Sequence, residues 1–220
     1  MKDQAKLAGR YVSRQITRLA AGGHDSAAKA TLARLRRGIG SAPGGMPELW
    51  ESTLKGLPEE LQSRDGTPTY GEWAVHTALT LYALHQQGKD STEKNMQKEG
   101  ESLGSAVGKL IRDEEADLPR VKRRFDAAAT ADSLTEFSHH LRGLTQIMKA
   151  QDIPLDYVML AEDLYWFQFP HVRDKIRLKW GQDFYNQFSR RREDEETVRP
   201  GSAEENQNDE QEEMGGEDDE

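Results

Sequence analysis

Between Thr69 and Gln87 the sequence is apolar on nearly every side of a helix: Trp73, Ala74, Val75, Ala78, Leu79, Leu81, Tyr82 and Leu84 leave no continuous polar stripe. Such a helix is stable in water only when other helices surround it, so it is expected at the centre of a bundle. The apolar-rich stretch from Trp73 to Leu84 is too short to cross a bilayer and carries His76. The fold is therefore built around this segment.

Neighbours for it are written along the chain. A helix over about 3–20 carries Ala5, Ala8, Val12, Ile16 and Leu19 on one stripe and ends at Gly22-Gly23. Asp25 or Ser26 caps a second helix through Arg37, stopped by Gly38. Pro47 opens a short helix through Leu54, and Pro58 breaks before another short turn. Beyond a polar stretch from Gly88 to Gly100, apolar residues recur at helical spacing over 102–114. Pro119 is expected to start a helix to about Thr130, Asp132 or Ser133 to cap the next, and Pro154 to start one through Phe167. The stretch 171–192 is ambiguous: Ile176 to Trp180 alternates like a strand, yet Val172, Ile176, Trp180 and Phe184 are four apart. It reads as helix, because no partner strand exists elsewhere. The expected fold is all-α: two packed helical bundles with a disordered acidic C-terminal tail. Its boundaries are an N-terminal subdomain over 1–88, a connecting loop over 89–100, a C-terminal bundle over 101–192 and the tail over 193–220.

Charge separates tail from body. Residues 193–220 hold fourteen of the thirty-nine acidic residues and one of the thirty basic ones, leaving residues 1–192 with a net charge of +4. A mildly basic helical body attracts polyanions, nucleic acid above all. On the helix over 26–37, Ala28, Leu32 and Leu35 group on one side, while Lys29, Arg34, Arg36 and Arg37 fan over the other. No acid lies between Asp25 and Glu48 to pair with them, whereas an ordinary solvated face mixes in carboxylates for i,i+4 pairs. Guanidinium forks match phosphate oxygens bidentately, so this face reads as a phosphate-binding surface.

A second basic set lies in the other half. Lys109 and Arg112 face away from the Leu103/Leu110 stripe; Lys122, Arg123 and Arg124 follow Arg120 with Val121, Phe125 and Ala128 turned inward; Arg142 and Lys149 share a polar face near Gln146. Asp113, Glu114, Glu115 and Asp117 precede the 120–124 run, so some of these cations form surface ion pairs of little energetic weight. Arg173, Lys175, Arg177 and Lys179 lie on a helix with apolar residues on two sides, where buried pairing competes with function. Tyr157, Tyr165, Trp166, Phe167, Phe169, Trp180, Phe184, Tyr185 and Phe188 could stack bases. At helical spacing they read better as core or subunit interface.

Other chemistries find no residues. The chain has no cysteine, which removes disulfides, thiolate catalysis and cysteine-bound zinc. His139 and His140 are adjacent and point about 100° apart on a helix, and His76 and His85 are nine apart, so no histidine pair has metal-ligand spacing. No phosphate-binding glycine loop and no nucleophile elbow occur. Neither enzyme, metal nor cofactor is expected. The N-terminal stretch lacks the apolar core of a signal peptide, and the expectation is a cytoplasmic protein without membrane contact.

The motifs, read in order, carry a resemblance. They are Leu35-Arg36-Arg37-Gly38, Pro43-Gly44, Pro47-Glu48-Leu49-Trp50, the run from Trp73 to Gln87, Ser102-Leu103-Gly104 and Arg123-Arg124-Phe125-Asp126. His140-Leu141-Arg142-Gly143, Ile153-Pro154-Leu155-Asp156-Tyr157, Leu160 to Trp166 and Trp180 to Tyr185 follow. Together, over most of residues 25–190, they resemble the CasB family, the small subunit of the type I-E CRISPR interference complex called Cascade. The resemblance implies an all-α, non-catalytic protein that pairs with a second copy of itself along the belly of that complex. There it contacts the other subunits and stabilises guide RNA, target strand and displaced single-stranded DNA without reading sequence. By position it carries this role to Arg36, Arg37, Arg123, Arg124 and Arg142. Lys29, Arg34, Lys109, Arg112, Lys122 and Lys149 rest on face geometry. The competing reading is a helical adaptor that touches only proteins.

Overall fold

Thr69 and Glu72 close the start of the central helix reciprocally. The Thr69 hydroxyl accepts from the Glu72 amide at 3.1 Å, and the Glu72 carboxylate accepts from the Thr69 amide at 2.8 Å. In the computed structural model, which describes residues 2–22 and 25–197, that helix is the fourth of nine α-helices among the described residues. They are α1 (Lys2–Ala21), α2 (Ser26–Arg37), α3 (Trp50–Thr53), α4 (Tyr70–His85), α5 (Leu103–Gly108), α6 (Glu114–Thr130), α7 (Leu134–Ala150), α8 (Tyr157–Phe167) and α9 (Pro170–Thr197). No strand forms among the described residues; one isolated bridge joins Gln97 and Leu155.

The expected central position of α4 is what the packing shows: α1, α2, α7 and α8 all lie against it, and of its residues from Gly71 to His85 only Trp73 is not fully buried. The N-terminal helices and α5–α9 meet chiefly through α7 and α8, and one apolar cluster runs through both sets. α6 packs on α7, and α9 lies along α5 and α8. The ambiguous stretch is helical, as α9. Its Trp180 is fully buried and stacks between Phe137 and Phe167, with ring centroids 5.6 and 5.4 Å away. The Trp180 indole nitrogen donates to Asp163 at 2.8 Å, and Lys179 donates to both oxygens of the same carboxylate at 3.0 Å. Burial, only partly offset by Lys179, pushes the Asp163 carboxyl above the usual carboxylate range.

Several boundaries differ from the sequence expectation. Asp113 caps α6 by accepting from the Ala116 amide at 2.9 Å, while Asp117 accepts from the amides of Arg112 and Asp113. Carboxylates thus start the helix five residues before Pro119, which sits inside it. The helix expected over 102–114 is only α5, because a turn after Gly108 leads to the Asp113 cap. Pro154 does not start α8 either; Asp156 caps it two residues later. α9 runs through Thr197, five residues into the expected tail, and the remainder of that tail lies outside the described residues.

Asp156 also fastens the polar Gly88–Gly100 stretch. Its carboxylate accepts from the Val158 and Met159 amides, from the Gln97 side chain at 2.9 Å and from the Gly100 amide at 2.9 Å, and it is buried. Asp156→Ala is expected to cost about 2–3 kcal/mol, a lost cap plus buried donors left unpaired. Chemical denaturation checks this, with Asp156→Asn losing less because one acceptor oxygen remains.

Candidate nucleic-acid interface

Asp25 starts α2 by accepting from the Ala27 amide at 3.0 Å, and Leu32 and Leu35 bury its apolar side. The helix therefore presents Lys29, Arg36 and Arg37 outward as expected, three of its cations crowding the last turn, where the helix dipole favours them. Arg37 reaches Glu48 at 3.3 Å, an exposed pair of little weight. Arg34 is half-buried and donates to the Thr31 hydroxyl at 3.1 Å. Lys29 and Arg36 make no ion pair among the described residues.

The second set divides. Lys109 is held by Glu101, a carboxylate only 5% exposed, so its charge is spent inside the fold. Lys122 turns to Asp126 in an i,i+4 pair, and Arg120 to Asp117 at 2.7 Å. Lys149 donates to the Gln87 side chain at 3.3 Å. Arg112, Arg123, Arg124 and Arg142 are exposed and make no ion pair among the described residues.

Arg123 and Arg124 line a groove of about 650 Å³ between α6 and α7. His139, His140 and Gln146 line it from α7 and Gln151 from the cap just beyond, and the small residues Ala127, Gly143 and Ala150 keep it open. None of the lining residues is a carboxylate. The nearest acid on α7 is Glu136, 3.7 Å from His140 at the rim. Adjacency argues against a metal at these histidines, so nothing in their spacing as a pair marks them. Their pattern is legible with hindsight: His139, Gly143, Gln146 and Ala150 are spaced four, three and four, a polar stripe of helix with gaps for a ligand. Arg142 and Lys149 lie on α7 outside this lining, and α2 packs against α4, which α7 also touches.

Of the cations on α9, Arg173, Arg177 and Lys179 are structural, while Lys175 is exposed. Arg173 donates to the Phe167 carbonyl at 2.9 Å and pairs with Asp132, Arg177 donates to the Ala129 carbonyl at 2.6 Å, and both guanidinium groups lie over the Phe167 ring. Most of the aromatic segment is core: Tyr157, Tyr165, Phe167, Trp180 and Phe184 are buried, while Tyr185 is about half exposed. Among the described residues no cluster of three His, Asp or Glu could hold a metal, and no helix is long and apolar enough to cross a membrane. What this surface can do chemically is hold anionic oxygens with guanidinium forks, imidazoles and amides.

Comparison with known proteins gives a consistent picture. The family model of the CRISPR-associated protein Cse2 matches residues 31–185. A crystal structure of CasB from Thermobifida fusca is 33% identical over 81% of this chain and 98% of its own, with a TM-score of 0.68. A CRISPR-associated Cse2-family protein from Thermus thermophilus shares the fold at 20% identity, covering 80% of this chain and 97% of its own, TM-score 0.58. So does a chain of a CRISPR RNA-guided surveillance complex, at 17% identity over 86% of this chain and 99% of its own, TM-score 0.64. No curated protein sequence matches.

Proposed function

The chain belongs to the CRISPR-associated Cse2 family, which includes CasB, and on that premise we propose that it is a non-catalytic subunit of an RNA-guided surveillance complex that holds nucleic-acid backbones. The observation that carries this reading is the pair Arg123 and Arg124, exposed and free of carboxylates in a groove with two histidines. Arg142, Arg112, Lys29 and Arg36 add further cations on α7, before α6 and on α2.

The mechanism follows from charge. Guide RNA pairing with a target strand displaces the other DNA strand, and the exchange of duplex for heteroduplex is nearly balanced in free energy. The displaced strand tends to re-anneal. Cations that bind its phosphates, or those of the heteroduplex, stabilise the opened state without reading sequence, which base pairing already supplies. The exposed Leu178 and Tyr185, seven apart on α9, offer apolar contacts to neighbouring subunits or a second copy.

Binding of a fluorescent single-stranded DNA tests the reading. Removing three exposed phosphate contacts at about 0.5–1 kcal/mol each weakens binding roughly 10- to 100-fold, so Arg123→Ala/Arg124→Ala/Arg142→Ala should show that loss with an unchanged melting temperature. Lys109→Ala, which takes the shortest ion pair from buried Glu101 and leaves it Ser105 and a longer contact to Lys98, should instead lower stability and leave affinity nearly intact. Unaltered affinity in the triple variant refutes the proposal, and a protein that binds no oligonucleotide at all is an adaptor.

A further inference from the structure

The α6–α7 groove fits a ligand that the chain itself carries. Residues 198–220 contain ten carboxylates and a single arginine, and they continue directly from the end of α9. The groove presents Arg123, Arg124, His139 and His140 with no lining carboxylate to neutralise them. Of the acids nearby, Asp126 pairs with Lys122, Asp152 with Lys89 and Lys94, and Glu136 reaches only His140, which leaves Arg123 and Arg124 without a carboxylate among the described residues.

Reach is no obstacle. Phe184 of α9 packs against Phe125 of α6 with ring centroids 5.4 Å apart, so α9 touches the helix that carries Arg123 and Arg124. The twelve residues from Tyr185 to Thr197 advance the helix by about 18 Å, and twenty-three extended residues span up to about 75 Å. The competing basic face on α2 offers a convex helix surface, with Arg37 on Glu48 and Arg34 on Thr31.

We propose that residues 198–220 seat in the α6–α7 groove, their carboxylates on Arg123 and Arg124, as an intramolecular competitor of phosphate chains. A run of separate carboxylates exchanges readily and is displaced by a strand of denser charge, so the segment sets a threshold that only a strongly held polyanion passes.

The absence of cysteine allows a clean test in the full chain. Gly143 lines the groove, and a side-chain carbon there meets nothing within 4 Å, so Gly143→Cys fits without disturbing the helix. Paired with Asn208→Cys, it should form an intramolecular disulfide under mild oxidation at least about tenfold faster than Ala30→Cys on α2 paired with the same tail cysteine, a ratio equal to about one unit in log effective concentration. Roughly 0.5 M salt, which shortens screening to a few Å, should abolish the preference. So should Arg123→Ala/Arg124→Ala. Equal rates at the two positions, a faster rate at α2, or a preference that survives loss of both arginines overturns the proposal. No nucleic acid enters the measurement, so its outcome is independent of oligonucleotide binding.

Discussion

Gly104→Ala is expected to lower the melting temperature by about 10 °C, the equivalent of roughly 3 kcal/mol for a protein of this size. Propensity alone argues the reverse, since alanine for glycine inside a helix normally gains about 1 kcal/mol. The geometry decides. A side-chain carbon at Gly104 would collide with the Trp180 carbonyl oxygen and sit 2.9 Å from the Phe184 amide. Those are backbone atoms of α9 and cannot rotate aside, so α5 and α9 must separate. Gly108, one turn on, faces the Phe184 carbonyl at 2.8 Å in the same way. Separation would also loosen Trp180 from Phe137 and Phe167, at the middle of the C-terminal core. Gly181→Ala is the internal control: it lies within α9, its added carbon meets nothing within 4 Å, and it should be neutral or stabilising by up to about 1 kcal/mol. Thermal unfolding of the two variants side by side checks the close approach; equal shifts would contradict it.

Acid is expected to destabilise the fold well above the carboxylate range. His85 is fully buried at the end of α4, its Nδ1 2.9 Å from the Tyr157 hydroxyl and its ring beside the Ile153 backbone. Burial, reinforced by the positive charge of Lys89, pulls its pKa down to about 4. His76, also buried, is shifted the same way, its Nε2 2.9 Å from the Gly38 carbonyl. In the unfolded chain a histidine takes up its proton near pH 6.5, so between there and about 4 the unfolded state binds the proton that the fold refuses. The contribution is fully present above pH 6.5 and lost progressively as pH falls towards 4, amounting to about 3 kcal/mol for His85 alone. Denaturant unfolding across that range should show the decline. His85→Gln, which cannot titrate, should flatten most of it while lowering stability at neutral pH.

The helical order was legible because an all-round apolar segment demands neighbours and periodic stripes supply them. Caps of the Asp and Ser type marked the starts of α2 and α7. Pro119 and Pro154 misled, because the proline preference for a first helical position yielded to carboxylates that close several amides at once, Asp113 with Asp117 in one case and Asp156 in the other. Nothing periodic announces that Asp156 reaches Gln97 and Gly100, since such bonds join segments far apart in sequence. The candidate site divides the same way. Helical spacing placed Arg123, Arg124, Arg36 and Arg142 outward, and the i,i+4 pairing of Lys122 with Asp126 was within its reach. The engagement of Lys109 by Glu101 crosses a helix and its capping turn, and the groove exists only once α6 and α7 are packed.

The central claim is that cations on rigid helix faces hold sugar-phosphate chains irrespective of base. Its most direct test is the salt dependence of single-stranded DNA binding by protein ending at Thr197, which keeps every described helix. If about six phosphates are neutralised, log affinity should fall with log salt at a slope near −4, and Arg123→Ala/Arg124→Ala should make it shallower by about 1.4. A slope near zero, or one that the arginine substitutions leave untouched, would contradict the account.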